Sequence, residues 1–149
     1  MSVNSSLLPP MPEAKPIILL VDDDADLRSL LERVLLRAGL VVHSAGDGRQ
    51  AIKLLAREKF DLVVTDIIMP DVEGIELILK IRRDHPKLPI IAMSAGGRLK
   101  ADGYLKMAQS FGANQILEKP FPIDVFLTEV RRLTDRSGTP PTPAVAPPV

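Results

Sequence analysis

Cysteine and tryptophan are both absent from this chain of 149 residues, and Tyr104 is its one tyrosine. Without cysteine there are no disulfides, thiolate metal sites or thiol nucleophiles, and nothing calls for an oxidising compartment. Aromatic residues make up 3% of the chain, which leaves few platforms for stacking bases. Nor is either sign of charge in excess: 19 Lys+Arg balance 19 Asp+Glu, so no direct nucleic-acid partner is expected. Long hydrophobic runs are missing too. The longest apolar runs fall far short of a membrane span, and the N-terminal Met1-Ser2-Val3-Asn4-Ser5-Ser6 lacks the basic region of a secretory signal. No membrane insertion is expected, and the expected location is cytoplasmic.

Proline, by contrast, is plentiful at both ends. Pro9, Pro10, Pro12 and Pro16 punctuate the start, and Pro140, Pro141, Pro143, Pro147 and Pro148 the finish. Residues 1–15 and 135–149 therefore read as disordered tails flanking one domain over 16–134. A single domain of this size buries roughly two thirds of its unfolded surface and needs no covalent staples.

Inside that segment short apolar runs alternate with stretches of helical period. Ile17-Ile18-Leu19-Leu20-Val21 is the first strand. Leu27, Leu30, Leu31, Val34, Leu35 and Ala38 then follow one helix face, with Gly39 as its stop. Leu40 to Ala45 reads as a strand, Gly46-Asp47-Gly48 as a turn, and Gln50 to Lys59 as a helix with Ala51, Leu54 and Leu55 inward. A third strand ends at Asp66. A helix from about Gly74 turns Leu77, Ile78 and Ile81 inward until His85-Pro86 breaks it. Ile90 to Met93 is the fourth strand, a helix runs near Tyr104 to Phe111, Gln115 to Leu117 is the fifth strand, and Pro122 opens a last helix carrying Phe126, Val130 and Leu133. Strict βα alternation with uniformly apolar strands predicts an α/β fold: a five-stranded parallel sheet with five helices over both faces.

Asp22 and Asp23 close the first apolar run and Asp66 closes the third. If those runs are neighbouring parallel strands, the acids meet at the carboxyl edge of the sheet, where such folds place ligands. Two carboxylates ~5 Å apart repel by roughly 3 kcal/mol at an effective dielectric of about 20, so three of them call for a cation. Oxygen-only ligands suit Mg²⁺.

Four motifs, each at the carboxyl end of an expected strand, carry a resemblance: Val-Asp22-Asp23-Asp, Thr-Asp66-Ile-Ile-Met-Pro70, Met-Ser94-Ala and Glu-Lys119-Pro120-Phe. Together they resemble the receiver family of two-component response regulators, over about Ile17 to Leu133. The loop Ser94-Ala95-Gly96-Gly97-Arg98, with Tyr104-Leu105 beyond it, is similar to a stand-alone, chemotaxis-regulator-like subgroup. The resemblance implies a flavodoxin-like, doubly wound sheet of order 2-1-3-4-5, with Asp66 as phosphoacceptor. It implies a switch rather than an enzyme, phosphorylated by a sensor histidine kinase or a histidine phosphotransfer protein. Asp23 and Asp66 would bind Mg²⁺ directly, Asp22 through water, and the backbone carbonyl of Ile68 would complete the ligands. Lys119 would pair with a phosphoryl oxygen, and Ser94 would donate its hydroxyl to another. The sequence holds no output domain, so the signal is expected to leave by contact with a downstream protein or by onward transfer. The family commonly places an aromatic residue three positions before the strand-five lysine; Ile116 stands there instead. Output is therefore expected through the loop from Ala95 to Gly103 and Tyr104.

Each assignment has a plainer rival. Acids before a helix cap it, although one cap explains only one of Asp22, Asp23 and Asp24. Asp22, Asp24 and Asp26 imitate the start of a calcium loop that then fails at Leu27 and Arg33, where glycine and glutamate are needed. Asp66 alone would form a turn, Lys119 alone would be solvated, and Ser94 alone would satisfy a turn. Asp71 and Glu73 read as solvated loop acids, and His43 and His85 as structural or surface residues. A haloacid-dehalogenase-like Mg²⁺-dependent phosphatase shares the Asp, Ser and Lys chemistry, but Asp22-Asp23-Asp24-Ala25-Asp26 lacks the Gly-Thr that follows that family's Asp-x-Asp. A partner-binding pseudo-receiver would have lost part of the set, which here is complete.

The tails offer little apolar surface to offset the entropy of ordering them. A fragment spanning Lys15 to Asp135 is therefore expected to keep the melting temperature and phosphorylation rate of the full chain. Differential scanning calorimetry and acetyl phosphate labelling check this; a loss of several degrees means that a tail packs on the domain.

Overall fold

Five short runs pair into one parallel sheet: β1 (Ile17–Val21), β2 (Val41–Ala45), β3 (Leu62–Asp66), β4 (Ile90–Ala95) and β5 (Gln115–Lys119). The computed structural model describes residues 15–67, 74–95, 106, 110 and 112–135. Within them the strand order is β2-β1-β3-β4-β5, as the resemblance implies. Among the described residues, four helices with defined limits connect or follow the strands: α1 (Ala25–Arg37), α2 (Gly48–Arg57), α3 (Gly74–Asp84) and α4 (Ile123–Thr134). The expected helix near Tyr104 to Phe111 lies outside the described residues except for Lys106 and Ser110, both helical. The expected switch loop and the two proline-rich ends fall outside them as well, as do Ile68, Asp71 and Glu73.

Local chemistry sets the helix limits. The Asp24 side chain caps α1 by accepting from the backbone N–H groups of Asp26 and Leu27, and Gly39 leaves the helix at φ +85°, the left-handed conformation glycine tolerates best. The Asp47 carboxylate accepts from Gln50 N–H, so α2 begins at Gly48, two residues before its apolar period does. β4 and β5 each run two residues past their apolar stretches, because Ser94 pairs with Glu118 and Ala95 with Lys119. Hydropathy ends there; backbone pairing does not.

Strand alternation sends side chains to both faces, and helices cover each. On one face Leu19, Val21, Val63, Ile90 and Ala92 meet Ala51 of α2 and Leu77, Ile78 and Ile81 of α3. On the other, Ile18, Leu20, Leu62, Val64, Ile91 and Met93 meet Leu31 and Leu35 of α1 and Phe126 and Val130 of α4. β3 is buried at every position, as expected of a central parallel strand. The amino edge of the sheet is pinned separately. Arg82 at the end of α3 donates to the carbonyls of Pro86 (2.9 Å) and Gly112 (2.7 Å), and Ile90 N–H donates to the side chain of Asn114 (2.9 Å).

At the carboxyl edge, α3 starts against the strand that carries Asp66. Gly74 N–H donates to the Ile67 carbonyl at 2.7 Å. A Cβ at Gly74 would lie 2.0 Å from the Asp66 carbonyl oxygen and 2.5 Å from Ile67 Cα. Both obstacles are backbone and cannot rotate away. Gly74→Ala is expected to cost about 3 kcal/mol, the top of the range for overpacking, as measured by urea unfolding. A change within ±0.5 kcal/mol would show that α3 can shift at no cost.

Candidate functional site

Register brings the acids together. Val21 pairs with Thr65, so Asp22 and Asp66, each one residue further on, leave neighbouring strands at the same level of the carboxyl edge. By alternation both share the sheet face of α1 and α4. Asp22 is fully buried and Asp66 is 7% exposed, whereas Asp23 is exposed. Carboxylate oxygens of Asp22, Asp23 and Asp66 all lie within 4.8 Å of one another, an oxygen-only set of the kind hard divalent cations take.

The charge is already partly offset. Lys119, at the end of β5, donates from Nζ to Asp22 Oδ2 at 2.9 Å and to Asp66 Oδ2 at 3.1 Å. Burial alone would push this ammonium's pKa down. The hydrogen bond that Lys119 donates to Asp22 and the charges of Asp66 and Asp22 outweigh that effect and hold the pKa above the ordinary lysine value. Sequence reasoning expected three acids repelling one another; the fold places a cation between two of them, and Asp23 alone stands outside the pair.

The consecutive acids divide their work. Asp22 accepts from Asp24 N–H at Oδ1 (2.9 Å) and from Lys119 at Oδ2, so both of its oxygens are engaged. Asp24 caps α1. Asp23 does neither, and among the described residues its carboxylate has no hydrogen-bond or ion-pair partner.

Ser94 is 6% exposed and sits one residue past Met93, the β4 partner of Asp66. Alternation assigns it to the opposite face from Asp66, that of Ala92 and Ile116. Ile116 is half-buried there, packed on the core beneath α2 and α3. The histidines stand apart: His43 meets Glu58 at 3.2 Å and sets its ring edge against Phe60, as a structural residue would. Arg28 escaped the sequence reading, and Gly74 was read as a helix start without its packing constraint. Arg28 Nη1 donates to the backbone carbonyl of Asp22 at 2.6 Å. One signal was available: a basic residue in the fourth position of a helix opposes the helix dipole and needs another reason to be there.

Comparison with known proteins places this edge in context. The profile of the response regulator receiver domain matches residues 18–131. The DNA-binding transcriptional regulator NtrC of Escherichia coli K12 is 38% identical over 116 residues, covering 78% of this chain and 24% of that protein. The chain thus spans about a quarter of the length of this curated relative. Among solved structures, the receiver domain of NtrX from Brucella abortus superposes with a TM-score of 0.75 at 30% identity, covering 80% of this chain and 99% of that one. A CheY-like receiver domain protein from Methanospirillum hungatei gives 0.76 at 25% identity, covering 82% and 95%.

Removing either kind of charge should show which contact matters in metal-free buffer. Lys119→Met strands the buried Asp22 carboxylate and is expected to cost about 3 kcal/mol, whereas Asp23→Asn relieves repulsion at an exposed position and should stabilise by a few tenths, roughly. Because Lys119 is held above the ordinary lysine pKa, its contribution is fully present below that value and is lost as the pH rises through the raised one. Denaturant melts in EDTA at neutral pH and above pH 11 check both; a neutral Lys119→Met refutes the charge argument.

Proposed function

The chain belongs to the response regulator receiver domain family, and on that premise we propose that it is a phospho-accepting switch in which Asp66 takes a phosphoryl group from a phosphohistidine. The observation that carries this reading is the meeting of Asp22, Asp23, Asp66 and Lys119 at one edge, from the turn after β1, from β3 and from β5. An oxygen of the Asp66 carboxylate attacks phosphorus in line, the P–N bond to the imidazole breaks, and the imidazole nitrogen leaves with the electron pair. An acyl phosphate results. Little covalent help is needed, so catalysis rests on positioning and on spreading the charge of the transferring group.

The donor set fits Mg²⁺. Asp23 and Asp66 would hold it directly. Asp22, with both oxygens engaged, would act through water, and the backbone carbonyl of Ile68 would complete the protein ligands. When bound, the ion supplies neutralisation of charge on the phosphoryl oxygens. Lys119 exchanges its contact with Asp66 for a phosphoryl oxygen, which a flexible ammonium can do without moving the backbone. Ser94 donates its hydroxyl to another of the oxygens.

A sensor histidine kinase or a histidine phosphotransfer protein is the donor. A cleft of about 520 Å³ opens beside Lys119 between α1 and the β5–α4 connection. Its apolar lining, Leu27, Leu30, Phe121 and Ile123, includes two side chains left exposed, Leu30 at 43% and Ile123 at 37%. A helix bearing the phosphohistidine can seat there with its imidazole facing Asp66. The signal then passes to a downstream protein by contact or by onward transfer.

Incubation with acetyl phosphate and Mg²⁺, followed by mass spectrometry, is expected to find one phosphate, on Asp66. EDTA or Asp66→Asn should abolish it. Phosphate on another residue overturns the assignment. Absence of labelling points to a pseudo-receiver, and sustained turnover of a small phosphomonoester points to a haloacid-dehalogenase-like phosphatase.

A further inference from the structure

We propose that Arg28 is a positioning residue of the cation site: its guanidinium fixes the peptide that joins Asp22 to Asp23 and thereby presets the Asp23 carboxylate. The inference rests on the Mg²⁺ reading given above and adds to it a residue outside the ligand set.

The Asp22 side chain is tied at both oxygens, and its backbone N–H donates to the Ala45 carbonyl at 3.2 Å. Asp23 is exposed, and no side-chain contact among the described residues orients it. Its direction is therefore set by its backbone, and the peptide group leading into it is the one whose oxygen accepts from Arg28 Nη1 at 2.6 Å. A charged donor on a carbonyl makes a strong, short bond of this kind. The arm lies over Gly46, where a Cβ would come 3.4 Å from Nη1, and Gly46 N–H is held by Gln50 Oε1 at 2.9 Å. The guanidinium thus holds the β1–α1 turn while passing over the β2–α2 turn, where the missing Cβ of Gly46 leaves it room.

Electrostatics alone would argue against a cation here. Arg28 sits in the first turn and a half of α1, against the helix dipole, and next to a site that must attract a second cation. If charge were its only effect, removing Arg28 would tighten Mg²⁺ binding. If it positions Asp23, removing it weakens binding. The two predictions differ in sign.

The test uses the full chain and Mg²⁺ alone. By isothermal titration calorimetry, Arg28→Met is expected to raise the Mg²⁺ Kd about tenfold, the low end of the effect of outer-shell partners of metal sites. Arg28→Lys, which keeps the charge but shortens the reach, should recover part of the loss. In acetyl phosphate labelling, the Mg²⁺ concentration for half-maximal rate should move further than the plateau rate. Unchanged or tighter binding in Arg28→Met overturns the proposal, as does a parallel fall of affinity, plateau and melting temperature. Should Arg28→Met fail to fold, Arg28→Lys carries the same comparison. Wild-type protein that does not bind Mg²⁺ overturns both readings, whereas wild-type binding with no Arg28 effect overturns this one alone.

Discussion

One ammonium held between two carboxylates is the contact on which the carboxyl edge depends. Lys119 reaches from the last strand to acids on the first and third, spanning β4 without touching it through a side-chain bond. Asp22 is fully buried. A buried carboxylate without a cation costs several kcal/mol, so Lys119 carries much of what lets the sheet close over Asp22. The rest follows from that closure. Asp66 is held at the same level, Asp24 is released to cap α1, and Asp23 is left as the acid of the Asp22–Asp23–Asp66 cluster that faces solvent.

Much of this was readable from residue order. Apolar runs ending in acids, helical periods broken at Gly39 and His85-Pro86, and strict alternation led to the sheet, and its order came with the family resemblance. What could not be read depends on proximity between distant segments. Periodicity placed Lys119 at a strand end but gave no sign that it would neutralise Asp22 and Asp66. It ended β4 and β5 early, since ladder pairing of Ser94 with Glu118 leaves no hydrophobic trace. It placed the helix start at Gly74 but missed the need for a hydrogen there, which arises from the carbonyl of Asp66, eight positions upstream. Arg28 was legible only as an oddity of charge against a helix dipole.

The two faces of the sheet do not share the site equally. Asp22, Asp66 and Lys119 follow the parity of Leu20, Val64 and Leu117, over which α1 and α4 pack. Ser94 and Ile116 follow the parity of Ala92, beneath α2 and α3. In the proposed reading, a phosphoryl group on Asp66 enters on one side of the sheet and is sensed by a hydroxyl belonging to the other. Ile116, stiff and branched, offers that second side no ring to turn.

The separation between Lys119 and its partners, 97 residues to Asp22 and 53 to Asp66, governs when the edge can exist at all. Closing loops of that length carries an entropic cost, met only once the intervening strands have docked. A chain emerging from the ribosome displays Asp22, then Asp66, long before it displays the lysine that reconciles them. Until β5 adds to the outer edge of β4, the growing sheet carries an unbalanced negative centre at its rim. Arrival of the fifth strand is thus also an act of neutralisation, and the acid centre is finished late, by a strand that only α4 follows among the described elements.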